Sequence, residues 1–379
     1  MTSQSMIEHY PVKTPMLDIV TVGTGGGSLA WIDDYESLKV GPRSSGAVPG
    51  PICYRRGGEK PTVTDAAAIL GRLPKALVGG ELELDIDAAS KAYDTLGEVF
   101  DMAPEEVAAG VMEIATANMV NGIRQVTTTR GKDPSSYALV SFGGAGGLFA
   151  PDVAEFLDVV TVISPPNPGN LSAFGLHVCD VKQDYIRTIV RQQSTASFKE
   201  IESAWLKIEV TGRNDLLAEG VANESVKLAR SADLRYVGEG HEVIVSVPDG
   251  LVGDAAIQHI WDEFHLVHFE TFGFDYRDEQ DVELVNLRIQ AVGEASRPVT
   301  EEHVQSEKYA APVSQRDIYW RGYGWVKCDI YDRTLLARNQ KIKGPTIIEE
   351  YGSTVVVPQN WTVHTDKFGN LILEKNNAR

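Results

Sequence analysis

The sequence predicts an α/β fold whose second half is richer in strands. Two glycine-rich loops, each fed by a short apolar strand, and a change of character near residue 185 carry that expectation. The first loop lies in Asp18-Ile19-Val20-Thr21-Val22-Gly23-Thr24-Gly25-Gly26-Gly27-Ser28. There a short apolar strand with an acid at its start empties into four glycines within five residues. Backbone without side chains approaches an anion closely, and successive N–H groups can point at phosphate oxygens. Ser28 adds a hydroxyl at the loop's exit, and Leu29-Ala30-Trp31-Ile32-Asp33 follows as a second strand. Strand, glycine loop and strand differ from a Rossmann turn, in which a helix follows the glycines. They differ from a Walker loop too, because no lysine follows the last glycine. Without a ligand, the same pattern is an ordinary tight hairpin.

The remaining elements follow in order. Residues 1–15 read as a polar leader and 16–40 as the hairpin. Residues 41–64 are loop-like, from Gly41-Pro42-Arg43-Ser44-Ser45-Gly46 to Arg55-Arg56-Gly57-Gly58. A loop this long without structure of its own is uncommon unless functional. Thr64-Asp65 opens a helical pattern to about Leu73, with Asp65 as N-cap. Segments from Asp87 to about Phe100 and from Pro104 to Arg130 are helical. In the second, Val107, Val111, Ile114, Met119 and Ile123 recur near the helical period. Ala138-Leu139-Val140-Ser141-Phe142 is a strand running into Gly143-Gly144-Ala145-Gly146-Gly147, and a helix follows from Leu148 to Leu157. A strand from Val159 to Ile163 leads through a Pro-rich turn to a helix start at Asn170 to Leu176. After Asp180, strands such as Tyr185 to Val190, Glu242 to Val247, Val282 to Val292 and Thr346 to Ile348 alternate with a few helices. The expected division is a leader over 1–15, an α/β lobe over 16–184 and an α+β domain over 185–379.

Bulk properties narrow the function. At 379 residues the chain has room for two or three domains. A hydrophobic content of 43% and a charged content of 23% are ordinary for a globular protein. The formal net charge of −18 argues against nucleic acid and anionic membrane surfaces as partners. It leaves ATP open, because a phosphate site is local and Mg²⁺ supplies charge. No apolar run approaches the ~20 residues of a membrane span. Met1-Thr2-Ser3-Gln4-Ser5 lacks the basic and apolar regions of a signal peptide. Cys53, Cys179 and Cys328 have no CxxC spacing and read as reduced core thiols of a cytoplasmic protein.

The second glycine loop, 143–147, sits between a strand and a helix. That arrangement places backbone N–H groups at a helix N-terminus, suited to an anion or nucleotide; the alternative is a tight turn needing glycine for close packing. Arg43, Arg55 and Arg56 could meet a phosphate or carboxylate, or be solvated surface. His265 and His268 stand at i, i+3, but with His241 and His259 they share no convincing metal geometry. Cys53 has no histidine nearby in sequence to activate it as a nucleophile.

Taken in order, the two glycine loops resemble the phosphate hairpin and the adenosine turn of the actin and sugar-kinase superfamily. Val40 to Pro51, Pro61-Thr62-Val63-Thr64-Asp65-Ala66 and Phe142-Gly143-Gly144-Ala145-Gly146 further resemble the hydantoinase A family. That family includes 5-oxoprolinase and related subunits of acetone and acetophenone carboxylases. Leu171-Ser172-Ala173-Phe174-Gly175, Glu283 to Arg288, and Gly344-Pro345-Thr346-Ile347-Ile348-Glu349 extend the likeness over nearly the whole chain. The resemblance implies an actin-like (RNase H-like, ASKHA) lobe followed by a strand-rich α+β domain, with ATP and Mg²⁺ or Mn²⁺ as cofactors. It implies nucleotide contacts at Asp18, Gly23, Gly25, Gly26, Gly27 and Ser28, and at Gly143, Gly144, Ala145 and Gly146. Asp65 either caps its helix or lies near the active cleft. The implied reaction is phosphorylation of an amide or enolate oxygen to drive hydrolysis of a cyclic amide (hydantoin, oxoproline or lactam). A subunit of a ketone carboxylase and a non-catalytic nucleotide-binding subunit are the alternatives. No catalytic residue and no protein-held metal site follow from the motifs.

Family members also begin with an Asp-x-Gly-Gly-Thr loop in a first actin-like lobe, which this chain lacks. The resemblance therefore implies either an N-terminal lobe on a separate chain or a fragment of a longer one, with a hydantoinase B-like subunit as a further partner. Gly147 and Phe149 stand where the family often has Pro and His, and Arg55 where it often has Gly.

Overall fold

The segment expected as a leader carries a short antiparallel pair, Ser5–Ile7 (β1) with Tyr10–Val12 (β2). The computed structural model describes residues 5–7, 10–12, 19–295, 297, 302 and 308–376. Asp18, expected at the mouth of the first glycine loop, lies outside the described residues. Ser28–Ile32 (β3) pairs with Leu38–Ser44 (β4). The first glycine loop therefore precedes a hairpin, whereas the sequence reading placed it between two strands. The turn forms at 33–37 because the Asp33 carboxylate accepts from the Tyr35 and Ser37 amides, a local bond that holds a turn in place. Residues 19–22 form no strand. Ile19 is 71% exposed, and no strand among the described residues lies beside it to complete a ladder.

Helix Val63–Ile69 (α1) starts at Thr62, whose hydroxyl accepts from the Asp65 amide while the Asp65 carboxylate accepts from the Thr62 amide. Asp65 thus occupies the third position of a capping box, not the N-cap, and the helix stops short of Leu73. All seven of its residues are buried, and its three alanines let it pack closely. A small ribbon of Ala76–Leu77 (β5) and Leu82–Glu83 (β6) precedes Ile86–Gly97 (α2) and Pro104–Val126 (α3). Pro104 opens α3, where a missing N–H costs nothing, and Glu106 reaches back to the Ala103 amide. Strand Leu139–Val140 (β7), helix Gly146–Phe156 (α4), strand Thr161–Ser164 (β8) and helix Leu171–Val178 (α5) follow as the pattern predicts, with shorter strands.

Phe174–Val299 forms one compact unit. Its strands Val181–Gln192 (β9), Val226–Tyr236 (β10), Val243–Ser246 (β11) and Val282–Gly293 (β12) make an antiparallel sheet in the order β11-β10-β12-β9. Helices Phe198–Ala218 (α6) and Asp254–Phe272 (α7) pack on it, burying Trp205, Trp261 and Phe264.

Met1–Ala173 and Thr300–Arg379 form the other unit. The last stretch contributes Ser314–Trp320 (β13), Gly324–Asp332 (β14), Ile342–Lys343 (β15), Thr346–Glu350 (β16), Ser353–Val357 (β17), Trp361–Thr365 (β18) and Leu371–Lys375 (β19). β19 pairs antiparallel with β8, and β8 parallel with β7, in a five-stranded sheet of order β15-β18-β19-β8-β7. The compact units therefore do not follow the linear division at 184/185, because residues 300–379 fold with the first lobe. Two strands as short as β7 and β8 cannot hold a stable sheet by themselves. β19 and β18 complete it, burying Leu371, Leu373, Val363 and Trp361 in the same core as Phe149 and Val153 of α4.

Candidate functional site

The first glycine loop is strapped down by its carbonyls. Gly26 O accepts from the Thr64 amide at 2.8 Å and the Thr64 hydroxyl at 2.9 Å. Gly27 O accepts from the Ser45 amide at 2.9 Å and the Ser45 hydroxyl at 3.2 Å. The buried Ser28 hydroxyl turns back to accept from the Gly25 amide at 2.9 Å, so it closes the loop on itself. None of Gly23, Gly25, Gly26 or Gly27 has a left-handed backbone. Crowding selects glycine at 26, where a Cβ would stand 2.7 Å from Thr64 Oγ1. At Gly25 a Cβ would meet nothing within 4 Å.

The second loop is held from two sides. Gly143 takes φ +86°, a conformation glycine adopts without strain, and its amide donates to Pro168 O at 2.7 Å. Beyond it, a Cβ at Gly147 would stand 2.5 Å from Thr354 O, so α4 can approach β17 closely only through that glycine. Ala145 and Gly146 form the junction with α4. The loop after β8 is tied to the β16–β17 turn: the Asn167 amide donates to Glu350 Oε2 at 3.3 Å. Glu350 Oε1 in turn accepts from Arg333 at 2.8 Å and from the Ser353 hydroxyl at 2.6 Å. Arg333 is buried and also donates to the carbonyls of Ser164 and Gly369; burial lowers its pKa against the pull of the Glu350 charge.

Both loops face one cleft of about 860 Å³, lined by Gly26, Gly27, Gly144 and Ala145. Leu73, Leu77, Val78, Leu82 and Leu148 give it an apolar wall, and Tyr54, Arg56, Asp332, Glu349 and Glu350 line it as well. A second, apolar cavity of about 360 Å³ is bounded by Gly25, Gly143, Gly146, Met119, Ile123 and Phe149. The two loops read separately in the sequence are therefore neighbours. Sequence reasoning did not pick out the turn at 350–353 as part of the site. Its only signal was the family-like run from Gly344 to Glu349.

The other sequence candidates separate clearly. Arg43 is exposed and lines neither cavity. Arg55 takes φ +56° and pairs with Glu83 at 3.6 Å and Asp85 at 3.5 Å, outside the cleft. A left-handed backbone at that position is the physical reason glycine suits it in the family pattern. Asp65 is fully buried and does not line the cleft. Its carboxylate accepts from the Thr62 amide at 2.8 Å, the Thr62 hydroxyl at 2.7 Å, the Cys53 amide at 2.8 Å and the Ile52 amide at 3.3 Å. Cys53 is buried beside it; burial first, and the Asp65 charge second, push its thiol pKa up, away from thiolate chemistry. His268 sits between Phe274 O and Glu239, whereas His265 bonds the Tyr236 hydroxyl. Among the described residues no three histidines, cysteines or acids gather as a metal site. Within the cleft, Asp332 and Glu349 each keep one carboxylate oxygen without a hydrogen-bond partner among the described residues, while Glu350 uses both.

Comparison with known proteins gives this geometry a context. Residues 1–185 match the family described as Hydantoinase/oxoprolinase, and residues 188–376 match the Hydantoinase/oxoprolinase C-terminal domain. An uncharacterized protein of Methanocaldococcus jannaschii is 36% identical over 366 residues, covering 97% of this chain and 52% of its own length. Caprolactamase subunit alpha of Pseudomonas jessenii is 32% identical over 366 residues, covering 94% of this chain and 52% of its own. A nucleotide-free acetone carboxylase structure superposes with a TM-score of 0.88 at 22% identity, over 97% of this chain and 54% of that one. That likeness establishes the fold: an α/β lobe of the actin-like kind joined to strand-rich α+β structure. The chain spans about half the length of these relatives.

Proposed function

We propose, since the chain belongs to the hydantoinase/oxoprolinase family, that it supplies one lobe of an ATP-dependent enzyme that opens a cyclic amide. The observation that carries the reading is the meeting of both glycine loops at one cleft. The loop at 23–28 would face the β- and γ-phosphates of ATP, with Gly143 and Gly144 against the adenosine. Transfer of a phosphoryl group to an amide or enolate oxygen turns a poor leaving oxygen into a good one. Such a transfer asks the protein for positioning and charge neutralisation more than for covalent chemistry, which suits backbone amides. Mg²⁺ or Mn²⁺ would supply charge beside the phosphates. Such an ion draws on one or two protein carboxylates, and the free oxygens of Asp332 and Glu349 fit that need. The apolar wall from Leu73 to Leu82 suits the hydrocarbon part of a lactam.

The relatives' remaining length, on the same or another polypeptide, would supply the opposing lobe, and a hydantoinase B-like subunit would complete the hydrolysis in the cytoplasm. A ketone carboxylase subunit is the second reading, favoured by the likeness to acetone carboxylase; the 32% identity to a caprolactamase subunit weighs towards the amide. The test is steady-state phosphate release by the chain alone and with the opposing lobe and partner subunit, with ε-caprolactam, 5-oxoproline and acetone plus bicarbonate as substrates. Amide-stimulated release that needs the added components is expected. Robust turnover by the chain alone would sink the two-lobe reading, and stimulation by the ketone only would transfer the chain to the carboxylases.

A further inference from the structure

Arg56 carries the one positive charge lining the larger cleft among the described residues. None of the acids that line it pairs with Arg56: Glu349 pairs with Arg316 at 2.7 Å and Glu350 with Arg333, and one oxygen of Asp332 accepts from the Thr334 amide. Arg56 itself is exposed and pairs with no acid among the described residues. Its neighbour Arg55 shows the contrast. The left-handed backbone at Arg55 sends the two guanidinium groups to different places, Arg55 to Glu83 and Asp85 and Arg56 to the cleft.

The segment that carries Arg56 is fixed. Asp65 holds the amides of Ile52 and Cys53, and the Tyr54 and Arg55 amides donate to Pro51 O and Ile52 O. Tyr54 lines the same cleft, and burial is the main reason its phenol pKa is raised. Thr64, whose hydroxyl donates to Gly26 O, lines it as well, so Arg56 shares the cleft with the first glycine loop. A planar guanidinium lining that cleft matches a pair of anionic oxygens, from a phosphoryl group or a carboxylate. The presence of the glycine loop in the same cleft favours the phosphoryl group.

We propose that Arg56 binds the outermost phosphoryl group of the nucleotide, an assignment that rests on the nucleotide reading above. The test is equilibrium titration of the native complex with ATP, AMP and 5-oxoproline, using wild type, Arg56→Lys and Arg56→Gln. The expected result for Arg56→Gln is a Kd for ATP raised about 10- to 100-fold, the loss of a charge-assisted pair of hydrogen bonds. AMP binding and the thermal midpoint stay unchanged, because AMP lacks the outer phosphates and Arg56 makes no ion pair among the described residues. Arg56→Lys falls between, keeping the charge without the fork. Equal losses for ATP and AMP, or unchanged ATP binding, overturn the assignment and leave the nucleotide reading standing. A loss confined to 5-oxoproline overturns it in favour of a substrate carboxylate. Wild type that binds neither nucleotide refutes the nucleotide reading and the assignment with it.

Discussion

Replacing Gly26 by alanine sets a new methyl carbon 2.7 Å from Thr64 Oγ1, well inside ordinary contact, which begins near 3.4 Å. Thr64 is buried in the first turn of α1, so the strain is relieved by turning its χ1. Turning it breaks the 2.9 Å bond from the hydroxyl to Gly26 O. A lost hydrogen bond of this kind costs about 1 kcal/mol, and an unfavourable rotamer costs about 0.5–1.5 kcal/mol. The variant should therefore lose about 2 kcal/mol, or about 4–8 °C in the melting of a unit this size. Thr64→Ala removes the obstructing oxygen. In that background Gly26→Ala should cost little, and the double-mutant cycle should show a coupling of about 1–2 kcal/mol. Chemical denaturation of the four proteins measures it. Additive losses, or a Gly26→Ala protein as stable as wild type, would refute the claim that crowding by Thr64 fixes glycine there. Gly25 is the control: its Cβ would enter open space, so Gly25→Ala should leave stability intact. Any loss of ATP binding in Gly25→Ala then reports on the ligand, whereas bulk at Gly26 perturbs the fold as well.

Asp65→Asn should destabilise by about 2–4 kcal/mol in denaturant titration, because an amide nitrogen would face donors where four now meet an acceptor; unchanged stability would show that the capping box does not hold the 52–53 segment. A thiol reagent should modify Cys179 alone in the native state and all three cysteines after unfolding, since Cys53 and Cys328 are buried; rapid native labelling of Cys53 would contradict its raised pKa. Burial alone would raise the Glu155 pKa, but Lys375, Trp361 and Asn360 outweigh it and hold it below its usual value. A carboxylate lowered on folding adds stability above its unfolded pKa of about 4.3, and that contribution is lost as pH falls through the folded value. Glu155→Gln should therefore flatten the acid limb of the stability curve below about pH 4.3, and a limb identical to wild type would remove Glu155 from that balance.

The parts of this fold that were legible in the sequence are those whose signals are local. Helices α2, α3 and α4 were readable because an apolar stripe recurs at the helical period, as at Val107, Val111 and Ile114, and because Pro104 or a glycine run marks where they begin. Both glycine loops were visible as composition. The hairpin was misplaced by one element because the apolar run Ile19 to Val22 reads as a strand, yet a strand needs a neighbour and none among the described residues lies beside it. Asp65 was recognised as a capping residue but read as the N-cap, three positions from its place, since an acid serves either at the N-cap or as the third residue of a capping box. Its larger role, gathering the amides of Ile52 and Cys53, depends on a contact across a loop that no short-range pattern encodes.

The least legible part of the site is the C-terminal turn, and topology accounts for it. β7 and β8 supply the strand ends that carry the second glycine loop and the 165–169 turn, but they cannot form a stable sheet without β19 and β18. With β19 paired to β8, β15 and β18 join the same sheet, while β16 and β17 pair with each other beside β14. The β16–β17 turn then reaches the glycine loop, and Glu350 bonds Asn167 across 183 residues of sequence. Gly147 allows this approach, since a side chain there would displace Thr354. The same pairing that completes the core thus brings Glu349, Glu350 and Ser353 to the cleft. The family resemblance flagged the Gly344–Glu349 run, but only long-range strand pairing makes those residues part of a site.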